Sequence, residues 1–148
     1  MKIVIVSDSH GNNQILSQIL KIEKDADLFL HAGDMEEEPR ILFPYICVKG
    51  NCDYFQVETE RIISLGKHKL YITHGHLITL TRNNLLRIAK EKNCDIIIHG
   101  HTHKYYYEEI DGIHIMCPGS ITYPRDKNKL YLVLNVNNDK IEVVKKTM

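Results

Sequence analysis

The sequence predicts an α/β fold built from mixed sheets, and three observations carry that expectation. Short, continuous apolar runs recur along the first two-thirds of the chain, as expected of strands buried on both faces. Two segments with helical periodicity are interleaved with them. From Tyr105 onward the pattern is strand after strand. Alternating elements with a strand-rich end fit mixed sheets. Few helices for so many strands favour two sheets packed face to face, with the helices outside.

The first run, Lys2–Val6, is a buried strand. Residues 11–24 form a helix, in which Ile15, Leu16, Ile19, Leu20 and Glu23 make the inward stripe. Asp27–His31 and Tyr45–Val48 are further strands. Arg61–Leu65 and Lys69–Thr73 are a hairpin turned at Gly66-Lys67. A second helix is expected over about 81–92, with Leu85, Leu86 and Ala89 inward. Cys94–Ile98 is another buried strand. Tyr105–Ile110, Ile113–Met116, Leu130–Asn135 and Ile141–Lys145 complete the strands, with turns at Asp111-Gly112 and Asn137–Asp139.

The 148 residues suit a single domain spanning 1–148. Nineteen Lys plus Arg balance nineteen Asp plus Glu, which weakens any case for a nucleic-acid binder. No apolar run reaches the roughly 20 residues of a membrane span, and the start lacks a signal-peptide layout, so a cytoplasmic protein is expected. Cys47, Cys52, Cys94 and Cys117 form no C-x-x-C pair and read as reduced thiols. Histidine is the unusual residue. Six of the nine fall at His10, His74–His76 and His99–His101–His103.

Five apolar runs end in Gly-bearing loops that carry Asp, Asn or His. They are Ser7-Asp8-Ser9-His10, His31-Ala-Gly33-Asp34, Lys49-Gly50-Asn51-Cys52-Asp53, Thr73-His74-Gly75-His76 and His99-Gly100-His101-Thr102-His103. In open α/β sheets, ligands bind beyond the carboxyl ends of strands, so co-oriented strands would bring these loops to one site. Carboxylate, amide oxygen and imidazole suit borderline or hard divalent metals. Asp8, His10, Asp34, Asn51, His74, His101 and His103 make seven candidate ligands, more than one ordinary catalytic ion takes. A pair of ions sharing the Asp34 carboxylate accounts for the excess.

These motifs, in this order from Asp8 to about Ser120, resemble those of the calcineurin-like metallophosphoesterases. The resemblance is to their small bacterial and archaeal phosphodiesterase branch, related to the retromer subunit Vps29. It implies a four-layer αββα sandwich of two mixed sheets flanked by helices. It also implies two divalent metal ions per chain, with Asp8, His10, Asp34 and His103 on one and Asp34, Asn51, His74 and His101 on the other. Manganese is the expected metal, with iron, cobalt, nickel or zinc also accommodated by such ligands. The implied activity is hydrolysis of a small phosphodiester through a hydroxide bridging the metals. The alternative is a Vps29-like protein-interaction scaffold without catalysis. Membrane binding is not expected, and self-association as a homo-oligomer is left open.

Many family members carry His where Cys52 stands, paired with the following Asp and protonating the leaving oxygen. A thiol of reference pKa about 8.5 matches neutral pH less well than imidazole at about 6.5. No residue is therefore assigned as the acid. His76 is a candidate substrate contact. His31 and His99 are expected to support the loops, and His68 and His114 to be structural. Tyr105–Tyr107 reads as one strand with rings on both faces, Arg125 as a surface residue, and Glu36–Glu38 as a solvated run that can shape the rim.

Overall fold

The computed structural model describes residues 1–148. Ten strands and two α-helices follow the order β1 (Lys2–Val6), α1 (Asn13–Ile22), β2 (Leu28–His31), β3 (Tyr45–Cys47), β4 (Glu60–Leu65), β5 (His68–Thr73), α2 (Arg82–Glu91), β6 (Ile96–Ile98), β7 (Tyr105–Ile110), β8 (Ile113–Pro118), β9 (Leu130–Val136) and β10 (Ile141–Thr147). A 3-10 turn at Pro39–Leu42 precedes β3. One sheet has the order β10-β9-β1-β2-β3, the other β4-β5-β6-β8-β7. In the first, β1, β2 and β3 are parallel, and in the second β5, β6 and β8 are. Antiparallel strands complete both sheets.

Alternation along the central strands builds the layers, because successive side chains point to opposite faces. Ile3 and Ile5 of β1 meet Ile72, Ile96 and Ile98 in the core between the sheets. Val4 and Val6 point the other way, onto Leu16 and Ile19 of α1. Ile97 and Tyr71 likewise face Leu85, Ile88 and Ala89 of α2. Three apolar seams thus separate four layers in the sequence helix, sheet, sheet, helix. Central strands buried on both faces are why their sequences read as unbroken apolar runs.

The helices are shorter than expected, and their caps explain it. Gly11 adopts φ +80, and Asn12 caps α1 by accepting the Ile15 amide at 3.3 Å. Glu23 lies past the last turn of α1, where its buried carboxylate accepts the Tyr131 hydroxyl at 2.7 Å and pairs with Lys2 at 2.8 Å. Thr81 caps α2 through the Asn84 amide. The inward face of α2 is Leu85, Ile88 and Ala89, and the expected Leu86 lies half-buried at its edge. The β4–β5 turn falls at Gly66-Lys67, since Leu65 pairs with His68. Ile110 pairs with Ile113 across Asp111-Gly112, both at positive φ, as a primed hairpin turn requires. Other boundaries differ by one or two residues. No helix is long and apolar enough to cross a membrane.

Candidate metal centre

The loops after β1, β2, β3, β5 and β6 bring all seven predicted ligands into two adjoining groups. His103 Nε2 lies 3.1 Å from Asp8 Oδ1 and 3.2 Å from His10 Nε2. His74 Nε2 lies 3.2 Å from Asp34 Oδ2 and 3.0 Å from Asn51 Oδ1, which is 3.1 Å from His101 Nδ1. Asp34 Oδ2 also lies 4.0 Å from His10 Nε2, so this carboxylate stands between the groups.

Carbonyl partners on the far nitrogens orient two of the rings. His74 Nδ1 donates to the Ala32 carbonyl at 2.7 Å, and His103 Nδ1 donates to the Tyr123 carbonyl at 2.9 Å. Each Nε2 then points at a carboxylate or amide oxygen, an arrangement suited to a shared cation. Asp8 Oδ1 is buried without any hydrogen-bond partner. Donor atoms around a shared ion at about 2.0–2.2 Å sit about 3–3.5 Å apart, as most of these do, with His10 Nε2 somewhat farther from Asp8 Oδ1 and Asp34 Oδ2, at 3.9 and 4.0 Å. Borderline nitrogen and hard oxygen donors with no thiolate complete the fit.

Electrostatics carry the same message. Burial pushes the Asp8 carboxyl up, against the pull of His74. Burial also opposes ionisation of Asp34, but the His74 hydrogen bond and the Cys52 amide outweigh it and hold the carboxyl well below its usual range. Burial disfavours a charged His74, yet its Asp34 bond and the Asp8 charge raise its pKa overall.

The backbone pays heavily for this convergence. Asp8, His10, Asp34, His101 and His103 have φ of 52, 46, 56, 71 and 59, in the left-handed region that disfavours Cβ-bearing residues. Glycines let the loops touch: a Cβ on Gly50 would strike the Asp34 carboxylate, and one on Gly100 would strike Ser7 Oγ.

Several supporting residues escaped the sequence reading. Asp53, expected to pair with the residue at position 52, instead accepts the amides of Asp34, Glu36 and Gly50 at 2.9, 2.8 and 2.7 Å. Ser7 Oγ donates to Asp8 Oδ2 at 2.5 Å, and Ser120 Oγ donates to the Asp8 carbonyl at 2.7 Å. Glu36 turns its carboxylate to within 3.5 Å of His10 Nδ1, a closer part than rim-shaping. The signal for Asp53 was its place after Asn51, but its partners are backbone atoms far along the chain. Replacing Asp53 by Ala should cost about 3 kcal/mol, because two buried donors and one part-buried donor lose a charged acceptor. Urea denaturation of the metal-free protein checks this, and a loss under about 1 kcal/mol would refute it.

The remaining histidines and cysteines fall as follows. Buried His31 accepts the Gly33 amide on Nδ1 and bonds Ser9 through Nε2, tying two ligand loops; burial lowers its pKa to about 3. His68 pairs with Asp95 at 2.5 Å, and His114 bonds the Tyr107 hydroxyl. His76 sits with its ring centroid 5.4 Å from that of His74, and its buried Nδ1 has no partner. All four cysteines are free thiols. Cys52 is pushed up to about 11, by burial first and then by the Asp34 charge. Arg125 is exposed, and Tyr106 faces outward while Tyr105 and Tyr107 pack against the inter-sheet core.

Comparison with known proteins agrees with this geometry. The description "Calcineurin-like phosphoesterase superfamily domain" matches residues 1–139. Probable metallophosphoesterase YsnB of Bacillus subtilis is 40% identical over 146 residues, covering 94% of this chain and 86% of that protein. Phosphodiesterase YfcE of Escherichia coli is 26% identical over 174 residues, covering 97% and 91%. A crystal structure of a predicted phosphoesterase from Streptococcus pneumoniae superposes with a TM-score of 0.91 at 28% identity, covering 99% of this chain and 88% of that one. By fold, motif order and sequence identity alike, the chain belongs to the calcineurin-like phosphoesterase superfamily.

Proposed function

We propose that the chain is a dinuclear metal-dependent phosphodiesterase acting on a small phosphodiester. Asp8, His10, Asp34 and His103 would hold one divalent ion, and Asp34, Asn51, His74 and His101 the other. The observation that carries this reading is the pair of acceptor clusters hinged on Asp34 Oδ2. Bound ions would lower the pKa of water towards about 7 and neutralise phosphoryl oxygens in an in-line displacement.

The protein's own part is orientation. The Ala32 and Tyr123 carbonyls fix the His74 and His103 rings, and the Glu36 carboxylate faces His10 from behind. No Lys or Arg side chain hydrogen-bonds or ion-pairs with any of the seven candidate ligands. A dianionic monoester would gain from such a cation, whereas a diester monoanion is served by the metals alone. The name of YfcE points the same way. His76, close to His74 and half-exposed, would meet the substrate. Manganese is the proposed metal.

The test is hydrolysis of bis(4-nitrophenyl) phosphate by protein stripped with EDTA and then reloaded with Mn²⁺. Activity should vanish on stripping and return on reloading. A metal-replete protein that turns over no diester would favour the Vps29-like scaffold.

A further inference from the structure

The loop that presents His101 and His103 also walls a second cavity, of about 370 Å³, which none of the seven candidate ligands lines. Its volume falls within the range of small-molecule sites. Leu80 and Leu85 supply an apolar floor and Tyr106 an aromatic wall.

Its polar groups are arranged at two ends. Arg82 and Lys104 belong to the lining and are solvent-exposed, so they mark the rim. Arg82 is also the first residue of α2; Thr81 takes the Asn84 amide, and the Arg82 and Asn83 amides keep the positive end of the helix there. Glu108 pairs with Arg82 at 2.7 Å, whereas Lys104 Nζ makes no ion pair. Two cations and one carboxylate leave a single positive charge at the rim. The inner end is His99, only 4% exposed. Its Nδ1 donates to the Gly100 carbonyl at 2.9 Å, and its Nε2 has no partner in the protein. That leaves an acceptor open to the cavity at its inner end, available to a donor on an occupant.

We propose that this cavity binds a small planar monoanion with a hydrogen-bond donor opposite its charge, of the hydroxyaryl carboxylate class. The ring lies on Leu80, Leu85 and Tyr106, the hydroxyl donates to His99 Nε2, and the carboxylate meets Lys104 and the start of α2. A dianion would exceed the charge available, and a neutral ring would leave Lys104 unpaired. The site is separate from the metal centre and does not depend on the activity proposed for it.

The probe is 4-hydroxybenzoate, titrated into the full chain both loaded with diamagnetic Zn²⁺ and EDTA-stripped, and followed by amide chemical shifts. Saturable shifts should centre on Leu80, Leu85, His99 and Tyr106, with the same affinity in both forms. Benzoate, lacking the donor, and 4-hydroxybenzyl alcohol, lacking the charge, should each bind about fivefold or more weakly, the worth of one hydrogen bond or ion pair. Lys104→Ala should weaken 4-hydroxybenzoate by a similar factor. The proposal is overturned by an absence of saturable shifts at about 10 mM, by equal binding of benzoate, or by binding that disappears with the metal.

Discussion

Asp34→Ala should remove both metal ions and lower kcat/KM for bis(4-nitrophenyl) phosphate by about 10³-fold or more. One oxygen of this carboxylate stands between the two ligand groups, 3.2 Å from His74 Nε2 and 4.0 Å from His10 Nε2. Its loss strips each group of a charged donor. Several kcal/mol of charge stabilisation then go with the ions, and each 1.36 kcal/mol is tenfold in rate. Asp34→Asn separates charge from architecture, because the amide oxygen can still accept the Cys52 N–H that Oδ1 takes at 2.8 Å. It should stay folded and still lose metal. His103→Ala should deplete mainly one ion and His74→Ala mainly the other. Elemental analysis of metal per chain, alongside steady-state rates, decides the matter. One tight ion in the wild type, with Asp34 dispensable, would sink the dinuclear reading.

The second large effect concerns the leaving group. A well-placed general acid contributes about 10²–10⁴-fold, and the thiol of Cys52 is poorly suited to supply it. Nitrophenyl diesters, which depart as stable anions, should be hydrolysed well, and alkyl diesters should be slow. Plotted against leaving-group pKa, log kcat/KM should fall steeply. Cys52→Ser should change little, and loss of activity on the activated substrate in that variant would reveal a role for the thiol. Cys52→His should help only poor leaving groups, by less than a fully positioned acid would. Asp53 cannot orient the new ring, since both of its oxygens are committed to backbone amides. Glu36 is the available partner: its carboxylate, Cys52 Sγ and a His10 ring nitrogen lie within 4.8 Å of one another. Adding Glu36→Gln should then erase the gain.

The convergence of the seven candidate ligand positions was legible because metal chemistry needs particular residue types at strand ends, and strand ends are marked by where apolar runs stop. The sandwich was legible because β1 and β6 are apolar on both faces, which only flanking layers can satisfy. What the sequence hid were partners defined by backbone atoms. Nothing in the letters around Asp53 says that its carboxylate will reach the amides of Asp34 and Glu36, 19 and 17 residues away. The inward face of α2 was read incompletely: Leu86 packs at its edge as expected, but Ile88, which is buried against Tyr71 and Ile97, was left out. Helix ends were set by Gly11 and by two caps, features of one or two residues that periodicity does not resolve.

Five of the seven candidate ligand positions hold Asp or His where the backbone is left-handed, at roughly 1–2 kcal/mol per residue. A redesign of this chain scored on thermal stability alone would put glycine or asparagine at all five. Each change would relieve the backbone locally, and together they would erase the candidate metal centre. Stability and ligand geometry are therefore in direct opposition at residues 8, 10, 34, 101 and 103, so any stabilised version of this protein must hold those five fixed and seek its gains elsewhere.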